Sequence, residues 1–191
     1  MSVWVIVFIF LAGSVFALKM LYVCSIAMAL PITKGALFVS TSSLRIKAFL
    51  DEVPMQANDF FVDIGCGDGR VLRAASKRYQ VKAFGYEINP LAYVKARVLS
   101  LGMKGVKIRW RDFRTVDLSE VNVVFCYLFP DVMKIVARKL KAELPDGARV
   151  ISCNFPIPGW HAQKVLRPAS SRHGDPIYIY QLPEAFSLLP A

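Results

Sequence analysis

Phe60-Phe61-Val62-Asp63-Ile64-Gly65-Cys66-Gly67-Asp68-Gly69-Arg70 joins an apolar run to three glycines at alternate positions. The chain continues as Val71-Leu72-Arg73-Ala74-Ala75-Ser76-Lys77-Arg78, with apolar residues at helical spacing. This pattern predicts a strand, a sharp loop and a helix. A Gly-rich hairpin would need a second alternating strand directly after the glycines, and none follows. Positions without a Cβ let the backbone bend and let a ligand lie against the peptide units, while the next helix turns its unpaired N–H groups toward it. The stretch therefore reads as a cofactor loop.

Its spacing bears on which cofactor. A dinucleotide fingerprint has glycines as G-x-G-x-x-G, the third inside the helix. Here the pattern is Asp63-x-Gly65-x-Gly67-x-Gly69. A carboxylate ahead of the glycines attracts an ammonium group and gives a pyrophosphate nothing, which favours S-adenosylmethionine (SAM). The next apolar run, Val81–Glu87, ends on a carboxylate placed for the two hydroxyls of an adenosine ribose. Glu87 fits either nucleoside cofactor and does not choose between them.

The N-terminus has a different character. From Met1 to Thr33 the only charged side chain is Lys19. About 20 apolar residues cross a bilayer, so Val3 to Tyr22 is expected to be a membrane helix, with Lys19 reaching toward the headgroups. The expected division is an anchor over residues 1–30 and a catalytic domain over 31–191. A cleavable signal peptide is the competing reading, because Ala27-Met28-Ala29 resembles a cleavage site. Against it, no Lys or Arg precedes the apolar run. The basic residues Lys19, Lys34, Arg45 and Lys47 lie at the C-terminal end of the run or beyond, which places the domain on the cytoplasmic face. No Arg-rich presequence precedes the run, which favours a bacterial cell membrane over the mitochondrial inner membrane.

Cys24, Cys66, Cys126 and Cys153 contain no C-x-x-C pair, so neither a zinc site nor a redox motif is expected and no metal is assigned. The formal charge of +10 raises the question of nucleic acid, with Lys104, Lys107, Arg109, Arg111 and Arg114 the densest cluster. Only Trp110 and Phe113 interleave as stacking aromatics. Contact with anionic lipid, or a merely solvated basic face, suits the cluster better than nucleic acid.

Strand and helix patterns alternate along the rest: Phe60–Ile64, a helix to about Tyr79, Val81–Glu87, a helix opened by Pro90, Val106–Arg111, Val121–Tyr127, a helix from Pro130 to Leu144, and Ala148–Asn154. Thr41, Ser42 and Ser43 precede a further helical pattern that Pro54 ends. Alternation of this kind means a parallel sheet covered by helices on both faces. Gln163–Leu166 and Pro176–Leu182 follow as strands without a helical crossover, so an antiparallel pair closes the sheet. The fold class is therefore α/β, resembling the seven-stranded, Rossmann-like SAM-dependent methyltransferase fold, with an N-terminal transmembrane helix. Ligands of such sheets sit at the carboxyl ends of the strands, where Gly65, Glu87, Asp112 and Tyr127 fall. Asp112 is placed either to accept from the adenine amino group, as in that superfamily, or to cap a turn.

Three segments carry a closer resemblance: Val62 to Arg70, Gly85-Tyr86-Glu87-Ile88-Asn89-Pro90, and Ala148 to Trp160 with its ending Asn154-Phe155-Pro156-Ile157-Pro158-Gly159-Trp160. The chain resembles the small membrane-tethered lysine methyltransferases whose members modify the adenine nucleotide translocase and the ATP synthase c-subunit. The resemblance covers roughly Pro31 to Tyr180. It implies SAM as cofactor, a lysine side chain of a membrane-embedded protein as substrate, and a cofactor role for Phe38 and Thr41 in Phe38-Val39-Ser40-Thr41. The chain departs from those relatives at Asn154, where they carry Arg, and at Tyr178, where they carry Trp.

Methyl transfer from a sulfonium requires a neutral amine held in line and shielded from water. Tyr127 is the candidate for orienting that amine, its alternative being a core aromatic, with Asn154 and Trp160 lining the channel. Cofactor contacts are expected from Phe38, Thr41, Asp63, Gly65, Gly67, Gly69, Glu87 and Asp112. Methyltransferases of adenine or amide nitrogens commonly carry Asp/Asn-Pro-Pro-Tyr/Phe after the fourth strand. This chain has Tyr127-Leu128-Phe129-Pro130, which disfavours nucleobase methylation. A small-molecule methyltransferase and a non-catalytic SAM-binding membrane scaffold are the alternatives, with an NAD-dependent oxidoreductase more distant.

Overall fold

The apolar run Phe60–Ile64 (β1) is the middle of the parallel part of a seven-stranded sheet, flanked by Lys82–Glu87 (β2) and Val123–Cys126 (β4). The structure is a computed structural model, and it describes residues 2–33, 40–168 and 175–186. Val106–Trp110 (β3) forms one edge, and Arg149–Cys153 (β5), Lys164–Leu166 (β6) and Ile177–Gln181 (β7) complete the order β3-β2-β1-β4-β5-β7-β6. Strands β1 to β5 run parallel, and β7 is antiparallel to both β5 and β6. The expected closing pair is present, with β7 inserted between β5 and β6.

The helices are Val3–Thr33 (α1), Ser43–Glu52 (α2), Arg70–Tyr79 (α3), Pro90–Leu99 (α4) and Pro130–Glu143 (α5). Local chemistry fixes their starts. Ser42 caps α2 through its hydroxyl, Asn89 caps α4 by accepting from Leu91 and Ala92, and Pro90 and Pro130 open α4 and α5, where a missing N–H costs nothing.

Four of the five β1 residues and all four of β4 are buried, because both faces of the sheet are covered. On one face, Phe49 of α2, Leu72 and Ala75 of α3 and Ala96 of α4 pack on Phe61, Phe125 and Ile151. On the other, Met133, Val136 and Leu140 of α5 pack on Val62, Val124 and Val150. Edge strand β3 buries only Ile108.

Helix α1 contrasts with all of this. Its segment Val3–Cys24 is long and apolar enough to cross a membrane, and none of it is buried against the domain.

Candidate active site

The glycine loop leaves β1 by a turn in which the amides of Gly65 and Cys66 both donate to the carbonyl of Tyr86, at 2.9 and 3.1 Å, binding the loop to the end of β2. Gly65, Gly67 and Gly69 have φ of 81°, 54° and 74°, a left-handed course that glycine takes without strain. A Cβ on Gly65 would lie 2.7 Å from Leu128 Cδ2, the end of a side chain that can turn aside, so the need for glycine there comes first from its positive φ. Gly69 ends the loop and caps α3, and its missing side chain lets Ile108 and Ala96 approach. Gly67 and Gly69 lie behind the wall of the cavity and shape it. Thr41, Asp63, Gly65, Glu87, Asp112 and Tyr127 face it.

That cavity, open to solvent, lies at the carboxyl ends of β1, β2, β3 and β4. Three buried carboxylates meet there, and they are satisfied very differently. Asp68 takes a forked contact from Arg70 (Nε to Oδ1 at 3.0 Å, Nη2 to Oδ2 at 2.7 Å). Burial would raise its carboxyl, but these bonds outweigh it and hold the group below the usual carboxylate range. Glu87 accepts three backbone N–H bonds, from Gly67 (2.8 Å), Ile88 (2.8 Å) and Asn89 (2.7 Å). Burial still pushes its carboxyl up, with those amides working against the shift. Asp63 is 2% exposed, and among the described residues no donor reaches its carboxylate. Burial first, then the charges of Glu87 and Asp68, raises its carboxyl well above the ordinary range.

A buried carboxylate without a donor, in the wall of an open cavity, is a place for a cation. The amino-acid ammonium of SAM would meet that requirement, and Glu87 at the end of β2 would face the hydroxyls of an adenosine ribose. The residues present therefore fit SAM, which Asp63 and Glu87 would hold by their carboxylates above a wall that includes Gly65 and Cys66.

Asp112 caps a 3-10 turn, accepting from the Arg114 amide at 2.9 Å and from Arg114 Nε at 2.7 Å. Its capping geometry is thus realised while it lines the cavity.

The other half of the cavity is lined by Phe125, Tyr127, Leu128, Phe129, Val132 and Ile135. The Tyr127 hydroxyl accepts from Arg45 Nη1 at 3.3 Å, and the guanidinium also lies 5.6 Å from the Tyr127 ring centre. Arg45 is itself buried and is ion-paired with Asp175. Sequence reasoning gave neither a place in the site: Arg45 reads as one of the basic residues that follow the apolar run, and Asp175 as the acidic residue ahead of an aromatic strand. Arg70 adds a second tie, donating to the Thr41 carbonyl at 3.3 Å and so joining the glycine loop to the segment before α2.

Two expectations need correction. Trp160 does not line the channel. The chain turns at Gly159, whose φ is 76°, and buries the indole edge-on against Tyr180 and Phe186 in the core beneath α5. Asn154 is also absent from the cavity wall. It takes a left-handed turn (φ 73°) at the end of β5, its amide donating to the Pro176 carbonyl at 2.8 Å. Phe38 lies outside the described residues.

Residues 63–164, from the orphaned carboxylate to β6, match the family described as the ANTKMT methyltransferase domain. The chain belongs to that family. A protein-lysine N-methyltransferase of Saccharolobus islandicus is 32% identical over 151 residues, covering 77% of this chain and 94% of that protein. The ATP synthase c-subunit lysine N-methyltransferase of Mus musculus is 41% identical over 102 residues, covering 52% of this chain and 41% of the mouse protein, so less than half of that relative is matched. Among solved structures, an RNA methyltransferase of Salinibacter ruber in complex with S-adenosyl-L-homocysteine superimposes with a TM-score of 0.70 at 28% identity, over 76% of this chain and 95% of that one. The chain is thus a SAM-dependent methyltransferase of the seven-stranded class.

Proposed function

We propose that this chain is a membrane-tethered protein-lysine N-methyltransferase whose target lysine lies on a membrane-embedded or membrane-proximal protein. The observation that carries this reading is the joining of an exposed, apolar α1 to a domain whose similar relatives are named for lysine methylation, one of them on the c-subunit of ATP synthase. Residues 1–30 then form the anchor and 31–191 the catalytic domain on the cytoplasmic face of a bacterial cell membrane. Tethering raises the effective concentration of the site toward targets in the bilayer and penalises soluble ones.

When bound, SAM supplies an electrophilic methyl carbon on its sulfonium. The chain's own residues do the rest. Asp63 would hold the cofactor's ammonium group and Glu87 its ribose hydroxyls. Phe125, Leu128, Phe129 and Val132 exclude water from the acceptor side, which lowers the pKa of a lysine amine and delivers it neutral. With Arg45 donating to its oxygen, Tyr127 is fixed at the rim to orient that amine. Asn154 and Trp160 take no part in this arrangement.

Incubating membranes with labelled SAM, with and without the enzyme, tests the proposal. Label on lysine side chains of a membrane protein is expected. The Salinibacter likeness makes RNA the alternative acceptor, and label confined to RNA or to small molecules would refute the lysine reading. Alkaline carbonate should leave the chain in the membrane pellet, whereas a soluble mature form beginning near Leu30 would mark a cleaved leader instead.

A further inference from the structure

We propose that the β3 edge of the sheet, with the outward row of α4, is a lipid-docking face that lays the domain against anionic headgroups of the bilayer holding α1. This rests on the reading that α1 spans a membrane and adds a second, separate contact to it.

Outside α1, exposed large apolar side chains concentrate in one place. Val94, Val98 and Leu101 are 52%, 58% and 74% exposed, and Trp110 on β3 is 63% exposed. Val94 and Val98 are four residues apart, opposite the buried Ala96 that packs α4 on the sheet, and so they point away from the core. A helix that should be polar on its outer face is apolar there.

The charge around this row has one sign. From Ile88 to Arg111 there are six Lys or Arg and no Asp or Glu. Of these, Arg97, Lys104, Arg109 and Arg111 form no ion pair among the described residues, and Lys95 reaches Asp68 only at 3.7 Å. Lys107 and Arg109 leave β3 on the side opposite Ile108, with Lys107 over the Phe84 ring. The edge therefore presents apolar side chains on one flank and free cations on the other.

Three occupants are conceivable, and the charges select one. A second copy docking through the same face by twofold symmetry would bring six cations onto six cations. RNA would match the charge but gains nothing from Val94, Val98 and Leu101, and the exposed aromatic on this face is engaged, with Trp110 stacked on Tyr93 and its Nε1 donating to the Ile88 carbonyl at 2.9 Å. An anionic bilayer takes both features at once, with aliphatic tips and Trp110 at headgroup level and cations on lipid phosphates. Position agrees, since α1 comes within 8 Å of α4 between Cα atoms. The face is continuous with the cavity, whose wall includes Arg111 and Arg114, so docking sets the cavity mouth beside the headgroups.

The test uses the full chain in lipid nanodiscs. Cys66, Cys126 and Cys153 are buried, so replacing Cys24→Ser and introducing Leu101→Cys directs a fluorophore to the proposed face. A Val165→Cys probe on β6, at the opposite edge of the sheet, is the control. With anionic lipid, spin-labelled lipid should quench the Leu101 probe several-fold more than the Val165 probe. Each of Arg97→Gln, Lys104→Gln and Arg109→Gln should weaken docking by about fivefold, reducing the excess quenching. Equal quenching at the two edges, or quenching indifferent to anionic lipid, overturns the proposal. So does a Leu101 probe shielded in detergent by dimerisation, or shielded by added RNA and not by lipid. Carbonate extraction of the same samples separates the two readings: a chain that is released refutes the membrane span itself, and one that resists extraction yet quenches equally refutes only the docking face.

Discussion

The two halves of the cavity are built by different means. The cofactor half is mostly backbone. Its three glycines, the amides that reach Glu87 and the turn bound to Tyr86 lie within residues 65–89. The half proposed for the acceptor is side chains: residues 125 to 135 line it, and Tyr127 among them is held from outside the cavity wall by Arg45 of α2, itself ion-paired with Asp175 before β7. The first is therefore sensitive to any added Cβ. The second can be altered residue by residue while the first keeps its function.

The largest expected effect breaks the backbone half. Gly67→Val places a β-branched residue at φ 54° beside the amide that holds Glu87, and SAM binding should disappear in calorimetry. Normal affinity would remove the distinction between the halves. Arg45→Met comes next. It strands Asp175, and because that carboxylate is a quarter exposed the loss of stability should be about 2 kcal/mol, below the range for fully buried pairs, as read by urea unfolding. SAM affinity of the folded fraction should stay near wild type. Tyr127→Phe should be milder still, lowering kcat by about tenfold with SAM affinity kept, the size expected for one orienting hydrogen bond. An equal loss in SAM affinity would show that the hydroxyl serves the cofactor.

The smallest effect is a pH dependence. The Asp63 carboxyl is raised in the folded chain, so protonation favours the ligand-free fold and the stabilising contribution is lost as pH rises through the folded pKa. A bound ammonium removes that penalty. Stabilisation by SAM should therefore be greater at neutral pH than in acid, measured as a thermal shift, and Asp63→Asn should flatten the trend.

This division also explains how much could be read from sequence. The glycine loop, the strand ends and the order of elements follow from local spacing, so Asp63, Glu87 and the sheet were legible. Arg45 and Asp175 are 130 residues apart and meet only because β7 pairs beside β5. Trp160 was misplaced for a related reason: its motif gives residue types, but the turn at Gly159 decides which face receives the indole. The approach of Leu128 to Gly65 is likewise invisible until β1 and β4 are adjacent.

Between Thr33, the last residue of α1, and Ser40, which lines the cavity, there are only six residues. Such a stretch spans at most about 25 Å when fully extended. On the proposed reading, this short leash makes the enzyme a two-dimensional searcher. Its encounters are set by lateral diffusion and by substrate copies per unit area of membrane, so turnover should saturate with surface density and stay indifferent to dilution of the vesicles.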